Sequence, residues 1–256
     1  MKHVIAVTIA ALLALAAPAR AQGIAFPADA NIKSVRDFGA KGDGVTDDTA
    51  AIAAAVKGIG GSHMRSLYFP DGTYLVSDTV LFAEWIFVQG QSTARTRIKL
   101  KDSCAGFGDA AKPKPVVCTL AGGGKGSGTM NMNFSTHMLN FTIDTGKGNP
   151  GAVGIEFMSH NGGGLEDIVI RSSDGSGPIG LDMRRAGQGP ALCRRLVMEG
   201  FDVGVWTGPS VYASTFEDMT IRGQKLAGWK NNNHPCTVRK LTSDNKVPMY
   251  VQDHRR

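Results

Sequence analysis

The sequence predicts an all-β chain wound as a right-handed parallel β-helix, with one short helix capping its N-terminal end. Three observations carry this. From Met138 onward, six-residue segments follow one template, apolar, polar, polar, apolar, any, apolar: Met138–Ile143, Leu165–Ile170, Cys193–Met198, Phe216–Ile221 and Val238–Ser243. Their starts lie 27, 28, 23 and 22 residues apart, a solenoid period. A second segment recurs between them with glycine in second place: Val153–Phe157, Ile179–Met183, Val203–Thr207 and Ala227–Asn231. The third observation is compositional, since 33 glycines and few aromatics suit a turn-rich β protein. A leucine-rich repeat has a similar period, but its Leu-x-x-Leu-x-Leu-x-x-Asn signature is missing.

The chain opens on a targeting segment, Met1–Ala21. Lys2 supplies a positive start, Val4–Ala17 an apolar run, and Ala19-Arg20-Ala21 a small-residue cleavage site. The run is shorter than a bilayer needs, so the expectation is a secreted or periplasmic protein with no membrane anchor after cleavage. Residues 22–256 then form one domain. The net charge is +6, of which Lys2 and Arg20 supply two. That mild excess permits an anionic polymer as partner without demanding one. No nucleic-acid-binding fingerprint accompanies it, so nucleic acid is not an expected partner.

Residues 31–100 are read as the cap and first coils. In Val35–Val56 a short extended stretch passes through Gly39, Gly42 and Gly44 into a helix. Thr46 is the expected N-cap, with Asp47 and Asp48 in the first turn, where the helix dipole favours negative charge. Ile52, Ala55 and Val56 fall on one face and Gly58 stops the helix. The open end of a solenoid exposes a sheet edge and a core cross-section, and this helix covers them. Asp43, Asp47 and Asp48 do not fit calcium-loop spacing, so they are read as turn and cap residues, and no metal site is expected.

This opening, together with Ser66-Leu-Tyr-Phe-Pro-Asp-Gly-Thr-Tyr-Leu-Val76 and Phe87-Val-Gln-Gly90, resembles the N-terminal signature of the pectate-lyase-superfamily β-helix found in rhamnogalacturonase-like and epimerase-like proteins. The resemblance is close from Val35 to Leu100 and continues as a repeat pattern. It implies a pectin-lyase-like solenoid whose partner is a polysaccharide. Its motifs are specific for the fold and weak for the reaction, which in the family includes hydrolysis and β-elimination. Calcium is implied only if the chain is a lyase, and no other cofactor is. Family members usually run for more coils. The resemblance therefore implies a C-terminally truncated chain, or a last coil covered by a partner or a second copy.

Residues 101–129 read as a Gly/Lys/Pro-rich loop. Cys104 and Cys118 bracket it, and whether they are bridged is left open. Cys193 falls at an apolar template position and reads as a buried thiol, while Cys236 has no obvious mate. Gly122-Gly-Gly-Lys-Gly126 resembles a phosphate loop only in part, because Thr119 and Gly126 stand where the motif needs glycine and a hydroxyl.

Residues 138–256 are the regular coils, and stacking the template tests their register. The second position gives Leu139, Glu166, Arg194, Glu217 and Arg239; the third gives Asn140, Asp167, Arg195, Asp218 and Lys240. Just after the template come Asp144, Arg171, Glu199, Arg222 and Asp244. Charge sign alternates from coil to coil in all three columns, so neighbouring strands about 4.8 Å apart would pair opposite charges. Asp167, Glu217 and Asp218 are accordingly read as structural.

One outward column breaks the rule. The second segment places Glu156, Asp182, Trp206 and Lys230 on successive coils. Two stacked carboxylates repel, which favours one of them keeping a proton. A protonated and an ionised carboxyl about 5 Å apart suit retaining glycoside hydrolysis. Glu156 and Asp182 are therefore the candidate catalytic pair. Trp206 is the candidate platform for a sugar face and Lys230 the candidate partner for a uronate carboxylate. The competing reading has Arg184 or Arg185 swing over and neutralise the pair. No recognisable hydrolase tripeptide or Gly-x-Ser-x-Gly motif is present. The sequence leans to an enzyme, a polysaccharide hydrolase or pectate-lyase-like lyase, with a non-catalytic polysaccharide-binding or surface-structural β-helix, or an inactive truncated fragment, as the alternative.

Overall fold

The computed structural model describes residues 23–60, 65–82, 85–119, 133–185 and 187–252. The stretch read as a targeting segment, Gly122–Gly126 and His254–Arg256 lie outside the described residues. The first coils contribute β1 (Lys33–Ser34), β2 (Asp43–Asp47), helix α1 (Thr49–Gly58), β3 (Arg65–Phe69), β4 (Gly72–Val76), β5 (Val80–Leu81), β6 (Ile86–Gly90), β7 (Thr96–Leu100) and β8 (Lys114–Cys118). In the regular coils the long strands are β9 (His137–Asp144), β11 (His160–Arg171), β13 (Gly189–Glu199), β15 (Ser214–Arg222) and β17 (Cys236–Asp244). The short strands are β10 (Ala152–Glu156), β12 (Ile179–Met183), β14 (Val203–Thr207), β16 (Ala227–Asn231) and β18 (Tyr250–Gln252).

Every pairing is parallel. The long strands stack as β9–β11–β13–β15–β17, and the short ones as β5–β8–β10–β12–β14–β16–β18. The fold is the right-handed parallel β-helix that the repeat predicts, and the template register holds rung by rung. Leu165 faces Met138 and Cys193, Glu166 faces Arg194, and Glu217 faces Arg239. The first, fourth and sixth template positions point inward. Met138, Leu165, Cys193 and Phe216 are fully buried, as are Phe141, Ile168 and Leu196. Burial of one such side chain stabilises the fold by about 1.5–3 kcal/mol.

A strand with period-two alternation cannot place both its first and fourth residues inward. The third position resolves this. Asn140, Asp167, Arg195, Asp218 and Lys240 all adopt left-handed backbone, with φ between 52° and 62°. Each bends its long strand into two limbs, so both flanking apolar residues reach the core. In the early coils the two limbs are still separate strands: β6 pairs with the start of β9 and β7 with its end.

The N-terminal cap differs from its expected details. Helix α1 starts at Thr49 with Asp48 as N-cap, two residues beyond Thr46. The Thr46 hydroxyl instead donates to Asp43 Oδ2 at 2.8 Å. Asp48 is buried and accepts from the backbone N–H groups of Lys41 and Gly42 at 2.6 and 2.9 Å. It ties the glycine turn to the helix. Asp47 accepts from the Thr49 N–H at 3.0 Å, so neither aspartate sits within the first turn. Gly58 is the last helical residue, and a Cβ there would meet the Phe38 ring at 2.3 Å. The left-handed stop is Gly60 (φ 60°).

The stretch read as a loop from residue 101 contains β8, which lies in the short-strand sheet beside β10. Pro115 masked it, but a proline is tolerated where its missing N–H is not needed, and Val116, Val117 and Cys118 are buried. No disulfide joins Cys104 and Cys118. The Cys104 thiol donates to the Ser77 carbonyl at 3.2 Å, while Cys118 lies 3.8 Å from Glu156 Oε2. Cys193 is the buried thiol expected, and burial pushes its pKa up to about 12. On the last rung Val238, in a column otherwise fully buried, is 42% exposed. Among the described residues no helix is long and apolar enough to cross a membrane.

Candidate functional site

The short-strand sheet positions the candidate column. Within each short strand the residues flanking the outward one are buried against the core, as with Leu181 and Met183 around Asp182. The outward side chains stack in register: Cys118, Glu156, Asp182, Trp206 and Lys230 face one another in turn. The four residues singled out from the sequence are thus brought together on consecutive rungs. Cys118 extends the column on the N-terminal side. Pro115-Val-Val-Cys118, an apolar run ending one rung before Glu156, was the signal for it.

Both carboxylates have arginine partners, supplied by the turn after β12. Arg184 clamps Asp182 with Nε on Oδ1 at 2.9 Å and Nη2 on Oδ2 at 2.6 Å, and its backbone N–H adds a bond to Oδ1 at 3.0 Å. Arg185 Nε donates to Glu156 Oε1 at 2.9 Å. The repulsion that would favour a shared proton is therefore offset by two guanidiniums, as the competing reading has it. The bond to Asp182 in turn holds the Arg184 pKa above its ordinary value, against the opposing effect of burial.

Trp206 is also engaged. Arg184 Cζ and Lys230 Nζ each lie 4.7 Å from the centroid of its ring, within cation–π range. A sugar stacking on this indole must share it with those cations. The strip as built combines two carboxylates, three cations and an indole, able to hold hydroxyls and a carboxylate of a polymer laid across the rungs.

Calcium requires about six to eight oxygen ligands. Among the described residues no three His, Cys, Asp or Glu side chains stand together as a ligand set, and Glu156 and Asp182 are engaged by arginines.

On the long sheet other acids have basic partners on the next rung. Arg195 holds Asp167 at 2.5 Å and Lys240 holds Asp218 at 2.8 Å. Arg194 Nε donates to Glu166 at 3.0 Å, and Arg222 Nε to Glu199 at 3.0 Å. Asp144 is fully buried beneath Arg171, which donates twice to its Oδ2 at 2.7 and 2.9 Å.

Residues 32–248 match the family described as rhamnogalacturonase A/epimerase, pectate lyase-like. A probable glucan endo-1,3-beta-glucosidase of Arthroderma benhamiae is 28% identical over 226 residues, covering 82% of this chain and 24% of that protein. A glucan 1,3-beta-glucosidase of Cochliobolus carbonum is 31% identical over 146 residues, covering 56% of this chain and 17% of the relative. The chain thus spans about a quarter or less of the length of these relatives. Among solved structures, the A-module of the Azotobacter vinelandii mannuronan C-5 epimerase AlgE6 superposes with a TM-score of 0.59 at 21% identity, covering 82% of this chain and 56% of that one. At that identity the likeness shows the fold.

Proposed function

The chain belongs to the rhamnogalacturonase A/epimerase, pectate lyase-like family, and from that premise we propose that it acts on an extended polysaccharide, cleaving glycosidic bonds by hydrolysis or β-elimination. One observation carries the reading. Glu156 and Asp182 occupy adjacent rungs of one outward column that Trp206 and Lys230 continue. Strands about 4.8 Å apart put the two residues one rung from each other, a backbone spacing comparable to the roughly 5 Å carboxyl separation of a retaining glycosidase. Asp182, fixed by Arg184, takes the role of nucleophile or base. Glu156 takes that of acid once Arg185, whose side chain is 44% exposed, turns from it to the substrate. The polymers named for the relatives, 1,3-linked glucan and mannuronan, set the substrate range to test. A secreted or periplasmic location is part of the same reading, since such polymers lie outside the cell. A partner or second copy over the last rung, where Val238 is exposed, belongs to the same reading.

A non-catalytic polysaccharide-binding role is favoured by the arginine pairing of both carboxylates, because a strip that only holds sugar needs no free acid. The variant Glu156→Gln separates the two. Lost turnover with retained binding supports cleavage, and unchanged behaviour in both assays removes Glu156 from the mechanism.

A further inference from the structure

Around the turn from the Glu156 column, the outer face of the long sheet carries a groove. Its floor is the outward column just before the template, where Ser66, Phe87, His137, Gly164, Leu192 and Thr215 stand in register on successive rungs. Gly164 has no side chain, so the column dips between His137 and Leu192. A Cβ there would meet the Leu192 carbonyl at 2.5 Å, which keeps the dip open. Two hollows share His137, one of about 410 Å³ on the Phe87 side and one of about 530 Å³ over the glycine.

The smaller hollow is aromatic and hydroxyl-bearing, and the larger one is lined by glycines, Leu192 and Thr215 with Glu166, Glu217 and Arg239 at its sides. Phe87 is 37% exposed, with its ring 5.4 Å from that of His137. Trp85 stands at the rim with a left-handed φ of 53°, a conformation that bulky side chains rarely adopt and that tends to mark functional positions. Burial pushes the His137 pKa below its ordinary value, against the pull of Glu166. The ring is therefore neutral near pH 7, a donor and acceptor without charge. Arg194 takes up the Glu166 carboxylate, and at the far end Glu217 and Arg239 stand in register with opposite charges.

We propose that this groove is a second binding track, for an uncharged, hydroxyl-rich glycan laid along the solenoid axis with a sugar face on Phe87. The inference rests on the polysaccharide reading above and adds a site and a ligand class to it. A β-strand peptide would need a free sheet edge, and the strands beneath this groove, β9, β11 and β13, are paired on both sides. A polyuronate would need uncompensated cations, and the charges here are matched.

The test is calorimetric titration of the chain with a soluble β-1,3-glucan and, separately, with a polyuronate. Phe87→Ala removes the platform, and Ala213→Trp, at an exposed lining position, blocks the groove without touching the core. The expected result is glucan binding weakened about tenfold or more by either variant. Parent-like glucan binding by both groove variants overturns the track while leaving the cleavage reading in place. Groove-dependent binding without turnover upholds the track and defeats cleavage. Tighter binding of the polyuronate overturns the ligand class, and binding of neither polymer overturns track and polysaccharide reading together.

Discussion

Two stacks of outward charges run along this solenoid, and they are solved differently. On the long sheet acids find their bases one rung away: Asp167 with Arg195, Asp218 with Lys240, Glu199 with Arg222. The partners are in the ladder itself. On the short sheet two acids occupy adjacent rungs, and their partners, Arg184 and Arg185, come from the following turn. A ladder that pairs internally serves the fold. The like-charged pair of the short sheet is held instead by arginines imported from the next turn, whose side chains are partly exposed. That difference is why the short-sheet column, and not the more numerous acids of the long sheet, is the candidate site.

The contrast can be broken from either side. The largest effect is expected at Asp144→Ala, which removes a buried carboxylate and leaves Arg171, Ser173 and the Gly146 N–H without their shared acceptor. It should cost on the order of 3 kcal/mol, read as a lowered urea midpoint at unchanged slope. Arg184→Ala should cost about 1–2 kcal/mol by leaving Asp182 and Glu156 facing each other. Adding Asp182→Asn should recover most of that loss, and no recovery would show that the two acids do not repel. Lys240→Ala, on an exposed rung pair, should shift stability by no more than about 0.5 kcal/mol.

The pH dependence follows from Asp174. Burial raises its pKa, but bonds from Ser176, the Gly148 N–H and Ser172 outweigh this and hold it at about 2. A carboxylate depressed in the folded state stabilises the fold above its unfolded pKa of about 3.9. That contribution is lost as pH falls from there through 2. Asp174→Asn should therefore flatten the acid limb of the stability curve in that window and leave neutral pH less affected than Asp144→Ala does.

The register of both sheets was legible because side-chain period and charge sign repeat along the chain. The left-handed third position was legible only as its consequence, the three-residue step between apolar positions, since Arg195 and Lys240 do not announce that backbone. Thr46 misled because Asp43, three residues back, competes for its hydroxyl. The β8 strand was hidden by Pro115 and by its glycine- and lysine-rich flanks. The four column residues were found by spacing alone. Their arginine partners were only one of two open readings, because which way a turn residue reaches depends on packing that no repeat encodes. The groove on the long sheet depends on what stands across six rungs, and no single stretch of sequence displays it.

The most direct test of the account is the turnover of the chain and of its Glu156→Gln variant on a soluble β-1,3-glucan and a polyuronate, with products read by mass. The account predicts shorter chains from the parent, with water added in hydrolysis or absent in elimination, and none from the folded variant, which still binds. Products from the variant at the parent's rate would contradict it.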